Sequence, residues 1–261
     1  MTKTYVFVSG CPRSGTTGLT TLLNWHPHVL LGQERFASLL NRIPAAFVPE
    51  LFEPARFASV QRGDCGYDSL ESSALVSPFA RRKKFDDFRG YACLGDKIPK
   101  LYEKFDVFGG PAWAGRSVHV IHIVRDAFDV AASYETRSRN PGDRWTADAR
   151  QGIADWIAAV RAVERYLSSA QSAFRLSIVC YESLFERGEE GMRNGMAAIY
   201  DRLALSPKGL DREGIHKVWA HTQKKQEMRK GYPELRQELA ERLSEDDLRL
   251  YMRVRRLALF S

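Results

Sequence analysis

Apolar residues run unbroken from Tyr5 to Val8, almost at the start of the chain, and their β-branched and aromatic character predicts a buried parallel strand. Polar and glycine residues interrupt the run, and from Leu19 the apolar positions Leu19, Leu22 and Leu23 take up helical spacing. That helix is expected to end near Trp25-His26-Pro27, because proline disfavours helix in the residue before it. Val29-Leu30-Leu31 predicts a short strand, and Phe36, Leu39, Leu40 and Ile43 a second helical stripe. Tyr91 to Gly95 reads as a strand ending in a turn, Leu101 to Phe108 as a helix, and Ser117 to Val124 as an interior strand broken only by His119 and His122. From Asp126 a helix is expected with acidic residues near its N-terminus. Ile153, Trp156, Ile157, Val160, Val163 and Leu167 trace a long amphipathic helix, and Leu176 to Cys180 give another strand. Met192, Met196, Ile199 and Leu203 trace a last packing helix, ending before Ser206-Pro207. Strands and helices in this alternation predict an α/β fold of three layers, a mainly parallel sheet flanked by helices.

Composition narrows the setting. A chain of 261 residues, 44% hydrophobic and 27% charged, suits a single domain spanning 1–261 with a full core, and no repeat, heptad or linker divides it. The stretch 44–90 differs: Pro44, Pro49, Pro54 and Pro78 break it into short pieces among aromatics such as Phe47, Phe52, Phe57 and Tyr67. It is the candidate variable, substrate-accepting insertion. The net charge of +7 suggests polyanionic ligands. The densest basic run, Arg81-Arg82-Lys83-Lys84, reads as a solvated turn, and without RNP-type aromatics or zinc-finger spacing no nucleic-acid partner is expected. Cys11, Cys65, Cys93 and Cys180 are scattered, which indicates reduced thiols rather than a disulfide framework or zinc site. No apolar run is long enough to span a bilayer and no signal-peptide pattern precedes the first strand, so the expected location is the cytoplasm.

Charge gains meaning at the first turn. Gly10 and Gly15 bracket four residues between strand and helix, so successive N–H groups and the helix N-terminus can face an anion. A nucleoside-triphosphate loop, G-x-x-x-x-G-K-[ST], needs lysine after its second glycine, yet Thr16 stands there and the cation, Arg13, lies inside the loop. A 5′-phosphosulfate held by the backbone, by Arg13 and by the hydroxyls of Ser14, Thr16 and Thr17 suits these residues better. The bland alternative is a glycine turn opening an ordinary helix. Pro12-Arg13-Ser14-Gly15-Thr16-Thr17 resembles the 5′-phosphosulfate loop of the sulfotransferases that use 3′-phosphoadenosine 5′-phosphosulfate (PAPS).

Other segments extend the resemblance in the same order. His26-Pro27-His28-Val29-Leu30-Leu31-Gly32-Gln33-Glu34 is similar to a segment of tyrosylprotein and bacterial carbohydrate sulfotransferases, which implies Glu34 as general base; a carboxylate stabilised by a helix N-terminus is the alternative. Asp96-Lys97-Ile98-Pro99 is similar to the family's D-K-x-P, implying that Lys97 stabilises the leaving phosphate and the transferring group; an exposed turn lysine is the alternative. Arg125 at a strand end and Ser133 about two turns on can converge on one phosphate, and they resemble the family's 3′-phosphate motif. Tyr181 stands where the family approaches adenine, though a core tyrosine would look the same. Arg229-Lys230-Gly231 matches a short R-K-G element that grips the 3′-phosphate, but Tyr232-Pro233-Glu234 departs from the usual continuation and a solvated basic turn is equally consistent. His119 and His122, three apart on a strand, should face opposite sides and pack, and no metal is expected.

The resemblance implies transfer of a sulfonyl group from PAPS to an acceptor hydroxyl, or amine, with release of adenosine 3′,5′-bisphosphate. Glu34 would take the proton, while Lys97 and Arg13 stabilise the departing phosphate. A P-loop kinase or NTPase and a non-catalytic basic nucleotide-binding protein are the alternative readings. Neither the acceptor nor the oligomeric state is legible in the chain.

Overall fold

Tyr5 and Phe7 enter one apolar core, Val6 and Val8 another, so the first strand is buried on both faces and the chain builds a layer on each side of it. The computed structural model describes residues 3–59, 61–64, 90–143, 145–169, 173–210, 212–227, 232 and 234–260. Its sheet comprises β1 (Thr4–Gly10), β2 (Val29–Gln33), β3 (Cys93–Lys97), β4 (Ser117–Val124) and β5 (Arg175–Cys180), in the order β2-β3-β1-β4-β5 and parallel at every pairing.

Helices α1 (Thr16–Asn24), α2 (Ala37–Arg42), α3 (Pro54–Ala58), α4 (Ala127–Ser138), α5 (Ala149–Leu167), α6 (Tyr181–Phe185), α7 (Gly188–Arg202), α8 (Arg212–Glu227), α9 (Glu234–Arg242) and α10 (Glu245–Arg256) form the outer layers. Residues of α1, α6, α7 and α8 share the core of Val6 and Val8, whereas those of α2 to α5, α9 and α10 share that of Tyr5 and Phe7. The result is the three-layer α/β fold expected from the alternation. No helix among the described residues is long and apolar enough to cross a membrane.

Three differences from the sequence pattern bear on the site. β3 does not turn at Gly95 but continues through Asp96 and Lys97, because Gly95 serves close approach: a Cβ there would lie 1.7 Å from the Val6 carbonyl oxygen of β1. β2 likewise runs on through Gly32 and Gln33, which align with Asp96 and Lys97. The segment after β3 is not a regular helix but a 3₁₀ stretch, Pro99–Gly109, interrupted at Lys100 and Lys104; its Leu101, Tyr102, Phe105 and Phe108 still enter one core.

His119 and His122 do face opposite sides of β4. His119 Nε2 meets Ser177 Oγ at 2.8 Å, and His122 Nδ1 meets Ser9 Oγ at 3.3 Å, beside the rings of Tyr102 and Phe105. Burial drives both imidazoles to the neutral form, His119 to about 4 with help from Arg175 and Arg202, and His122 to about 3.

Candidate active site

Parallel strands in register bring Gly10, Gln33, Lys97, Val124 and Cys180 to one edge of the sheet, and every candidate site residue among the described residues falls there, in the loop beyond it or on the helix that follows. Beyond Gly10 the loop closes through the Ser14 N–H, which donates to the Cys11 carbonyl at 3.0 Å. Arg13 sits at φ 72° and Gly15 at φ 100°, so the turn is left-handed at both. α1 has neither a side-chain cap nor an acidic residue in its first turn, which leaves its N-terminal amides available to an anion. Thr17 is exposed on this turn, while Thr16 is buried. Ser14 points inward: its Oγ is buried without a hydrogen-bond partner among the described residues and lines a cavity of about 10 Å³ with Cys11, His122, Arg125 and Trp156. Contact between that hydroxyl and an anion in the loop would require a rearrangement.

Arg13, Gly15, Arg125, Ser133 and Tyr181 converge although they come from four separate segments. Arg13 Nε donates to Ser133 Oγ at 3.0 Å, and Arg125 Nη1 donates to the Arg13 carbonyl at 3.0 Å. The Arg125 guanidinium lies 4.0 Å from the centre of the Tyr181 ring, and that ring packs so closely on Gly15 that a Cβ would come within 2.6 Å of it. Trp156 Nε1 holds the Arg125 carbonyl at 2.8 Å, Asp126 caps α4 through the Phe128 and Asp129 amides, and Arg125 Nη2 reaches Asp129 at 3.3 Å. Arg125 Nε has no partner among the described residues.

The electrostatics of this cluster include a residue that the motifs did not single out. Burial, followed by the charges of Arg137 and Arg125, pushes Arg13 below the ordinary arginine range, so three guanidiniums crowd one site. Arg137 is held by a bidentate pair with Asp143, 2.6 Å at each contact, and by the Trp145 ring. Sequence spacing hid it because its partners lie beyond the end of α4.

A second group stands across β1. Lys97 Nζ donates to Glu34 Oε1 at 2.6 Å, and the two side chains differ sharply in exposure, 6% for the lysine and 42% for the glutamate. The cation is thus fixed within the protein, while its carboxylate partner faces outward. Glu34 has φ 62°, and its N–H donates to the Lys97 carbonyl at 2.8 Å. The next residue, Arg35, is fully buried and donates to the Phe57 carbonyl (3.2 Å), the Ser59 carbonyl (2.6 Å) and Asp64 (2.8 Å). Asp96 is also fully buried and accepts from the Arg35 and Phe36 amides at 3.1 and 2.9 Å. No sequence signal marked Arg35, and Asp96 entered the sequence reading only as the first residue of Asp96-Lys97-Ile98-Pro99, with no role of its own.

Burial pushes Asp96 up to about 7, against the pull of those two amides. Its sign opposes that of the histidines. Between about pH 4 and 6.5 the unfolded chain binds two protons that His119 and His122 refuse when folded, whereas folded Asp96 keeps one that the unfolded chain has lost. Stability should therefore rise with pH across this window by the net of one proton, on the order of 1 kcal/mol per pH unit. Urea unfolding at several pH values checks this; a falling trend would contradict the neutral histidines.

Cys11, Cys93 and Cys180 are buried and free, and burial pushes each thiol up, Cys93 to about 12, which leaves no thiolate nucleophile among them. Arg229 and Lys230 lie outside the described residues, as does most of the stretch 44–90.

The sequence matches no family model and no curated protein. Among solved structures, the fold is similar to the sulfotransferase from Alicyclobacillus acidocaldarius, at 18% identity and a TM-score of 0.57, over 98% of this chain and 97% of that one. Fainter likenesses join a sulfotransferase domain from the curacin biosynthetic pathway (16% identity, 80% and 79% of the chains, TM-score 0.47) and one from the Synechococcus PCC 7002 olefin synthase (18%, 81% and 79%, TM-score 0.45). The shared fold is that of the first.

Proposed function

We propose that the chain is a sulfotransferase that moves a sulfonyl group from PAPS to an acceptor hydroxyl, or amine, and releases adenosine 3′,5′-bisphosphate. The observation that carries this reading is the fixed Lys97 with its outward-facing Glu34 partner, at the same sheet edge as an uncapped anion loop that has Thr16 in place of the triphosphate lysine and Arg13 within the loop. The fold shared with the Alicyclobacillus enzyme is consistent with it. Fold alone would not suffice, because chemistry belongs to the site.

The donor fits the arginine side of the site. Arg13, the amides of Gly15, Thr16 and Thr17 and the Thr17 hydroxyl would hold the 5′-phosphosulfate; Arg125 and Ser133 would hold the 3′-phosphate. Tyr181 would lie near the adenine, and Arg229 and Lys230 would add to the 3′-phosphate contacts. During transfer the bond between sulfur and the bridging phosphate oxygen breaks as a bond from sulfur to the acceptor oxygen forms. Glu34 takes the acceptor proton, and the charge left on the phosphate is met by Lys97, Arg13 and the loop amides. On this reading 1–261 works as one domain, and 44–90 contributes to acceptor binding, tied to the site through Arg35, Ser59 and Asp64.

Calorimetry tests the reading by comparing adenosine 3′,5′-bisphosphate with ADP and ATP, with and without magnesium. The 3′-phosphorylated nucleotide should win without magnesium. Arg125→Ala should weaken it by about 10- to 100-fold, as expected for loss of hydrogen bonds to a charged group. Magnesium-dependent preference for ATP would replace this reading with a kinase or NTPase.

A further inference from the structure

Glu34 holds a backbone conformation that residues with a side chain rarely adopt, φ 62°, and does so at the end of a strand, where nothing in its own sequence enforces it. Three hydrogen bonds impose it. The Glu34 N–H prolongs the β2–β3 ladder onto the Lys97 carbonyl, and the next two amides, of Arg35 and Phe36, both donate to the Asp96 carboxylate. Those residues are 0% exposed, so without Asp96 two buried N–H groups would lack these acceptors. The two amides held by Asp96 directly precede α2, which starts at Ala37 and has no side-chain cap. Space has been cleared for it: a Cβ on Gly32 would come within 2.8 Å of Asp96 Oδ1 and of the Arg35 Cβ. Asp96 also directly precedes Lys97 on one strand, so a single backbone sets both the clamp and the cation.

We infer that Asp96 is a positioning residue of the transfer reaction: its carboxylate fixes the turn after β2 and so sets Glu34 against Lys97, without touching either substrate. The inference rests on the proposed role of Glu34. It separates Asp96 from a residue that merely stabilises the sheet, whose loss would lower stability and all functions together.

The test uses PAPS with 4-nitrophenol as acceptor, and with water alone, in the full chain. Asp96→Asn keeps the shape but sets an NH₂ donor against one of the amides. Its kcat should fall about 100-fold, as for a misplaced reacting group, with KM for PAPS changed less than about threefold. Gly32→Ala, which presses on the same carboxylate from β2, should shift kcat in the same direction and covers the case in which the Asn variant does not fold. In a Glu34→Gln background, Asp96→Asn should cost less than about threefold more, because its effect passes through a base already removed. A crystal structure of the Asn variant should show Glu34 drawn away from Lys97. Wild-type kcat in both folded variants, or a full additive loss in the Glu34→Gln background, would overturn the role of Asp96 alone. Absence of PAPS turnover by the wild type with either acceptor would overturn the reading of the site and this role with it.

Discussion

Replacing Glu34 by glutamine is expected to reduce sulfonyl transfer by about 10²- to 10⁴-fold, the range that general-base catalysis supplies, while adenosine 3′,5′-bisphosphate binds with nearly wild-type affinity. Glutamine keeps the length and an oxygen for the Lys97 ammonium, so the buried lysine retains a hydrogen-bond acceptor. What disappears is a group able to take the acceptor proton. The outward exposure of the carboxylate makes it reachable by an acceptor, whereas the buried lysine is poised to meet charge rather than to exchange protons with solvent. Steady-state kinetics beside calorimetry separate the two effects. A folded Glu34→Gln enzyme with unchanged turnover would remove the residue from the base role.

Gly15→Ala should be nearly as damaging, but through binding. At φ 100° an alanine is strained whatever the space around it, and its Cβ would lie 2.6 Å from Tyr181 Cδ2 and 2.8 Å from Cε2. Tyr181 cannot yield without moving Arg125, which rests on its ring, and Arg125 in turn supports the Arg13 carbonyl. One methyl group therefore reaches the loop, Tyr181 and Arg125 together. Affinity for adenosine 3′,5′-bisphosphate should fall on the order of 100-fold, and thermal unfolding should show a loss of about 1–3 kcal/mol. Wild-type affinity in this variant would mean that the nucleotide does not use this loop.

The strands were the most readable part of the chain, because burial on both faces leaves continuous apolar runs such as Tyr5 to Val8 that local pattern detects. Their ends were less so. Gly95 resembles a turn residue, and only the passage of the Val6 carbonyl beside it explains a glycine within the strand. The three C-terminal helices escaped notice because Lys, Arg and Glu outnumber the few apolar anchors, such as Leu235, Leu239, Tyr251 and Val254, that tie them to the core. At the site, motif spacing led to Glu34, Lys97, Arg125 and Ser133 as separate elements, but which of them touch is set by register and crossover, to which spacing is blind. Arg35 and Arg137 were hidden for the same reason, as were the contacts of Asp96, which showed only as the first residue of the D-K-x-P segment: each draws its role from partners beyond its own segment.

β1 is the central strand of five, and its position has a consequence for descent. On the proposed reading, the acceptor's base and the lysine paired with it stand at the ends of β2 and β3 to one side, and the groups that recognise the nucleotide stand at β4, α4 and α6 to the other. In the chain the first set occupies one continuous block, 29–97, that carries Glu34, Lys97 and the intervening stretch. Its joints are the ends of two parallel strands. A lineage could exchange that block by recombination and inherit a new acceptor while keeping its donor, with Arg35 and Asp96 travelling inside the exchanged piece together with the base they hold in place.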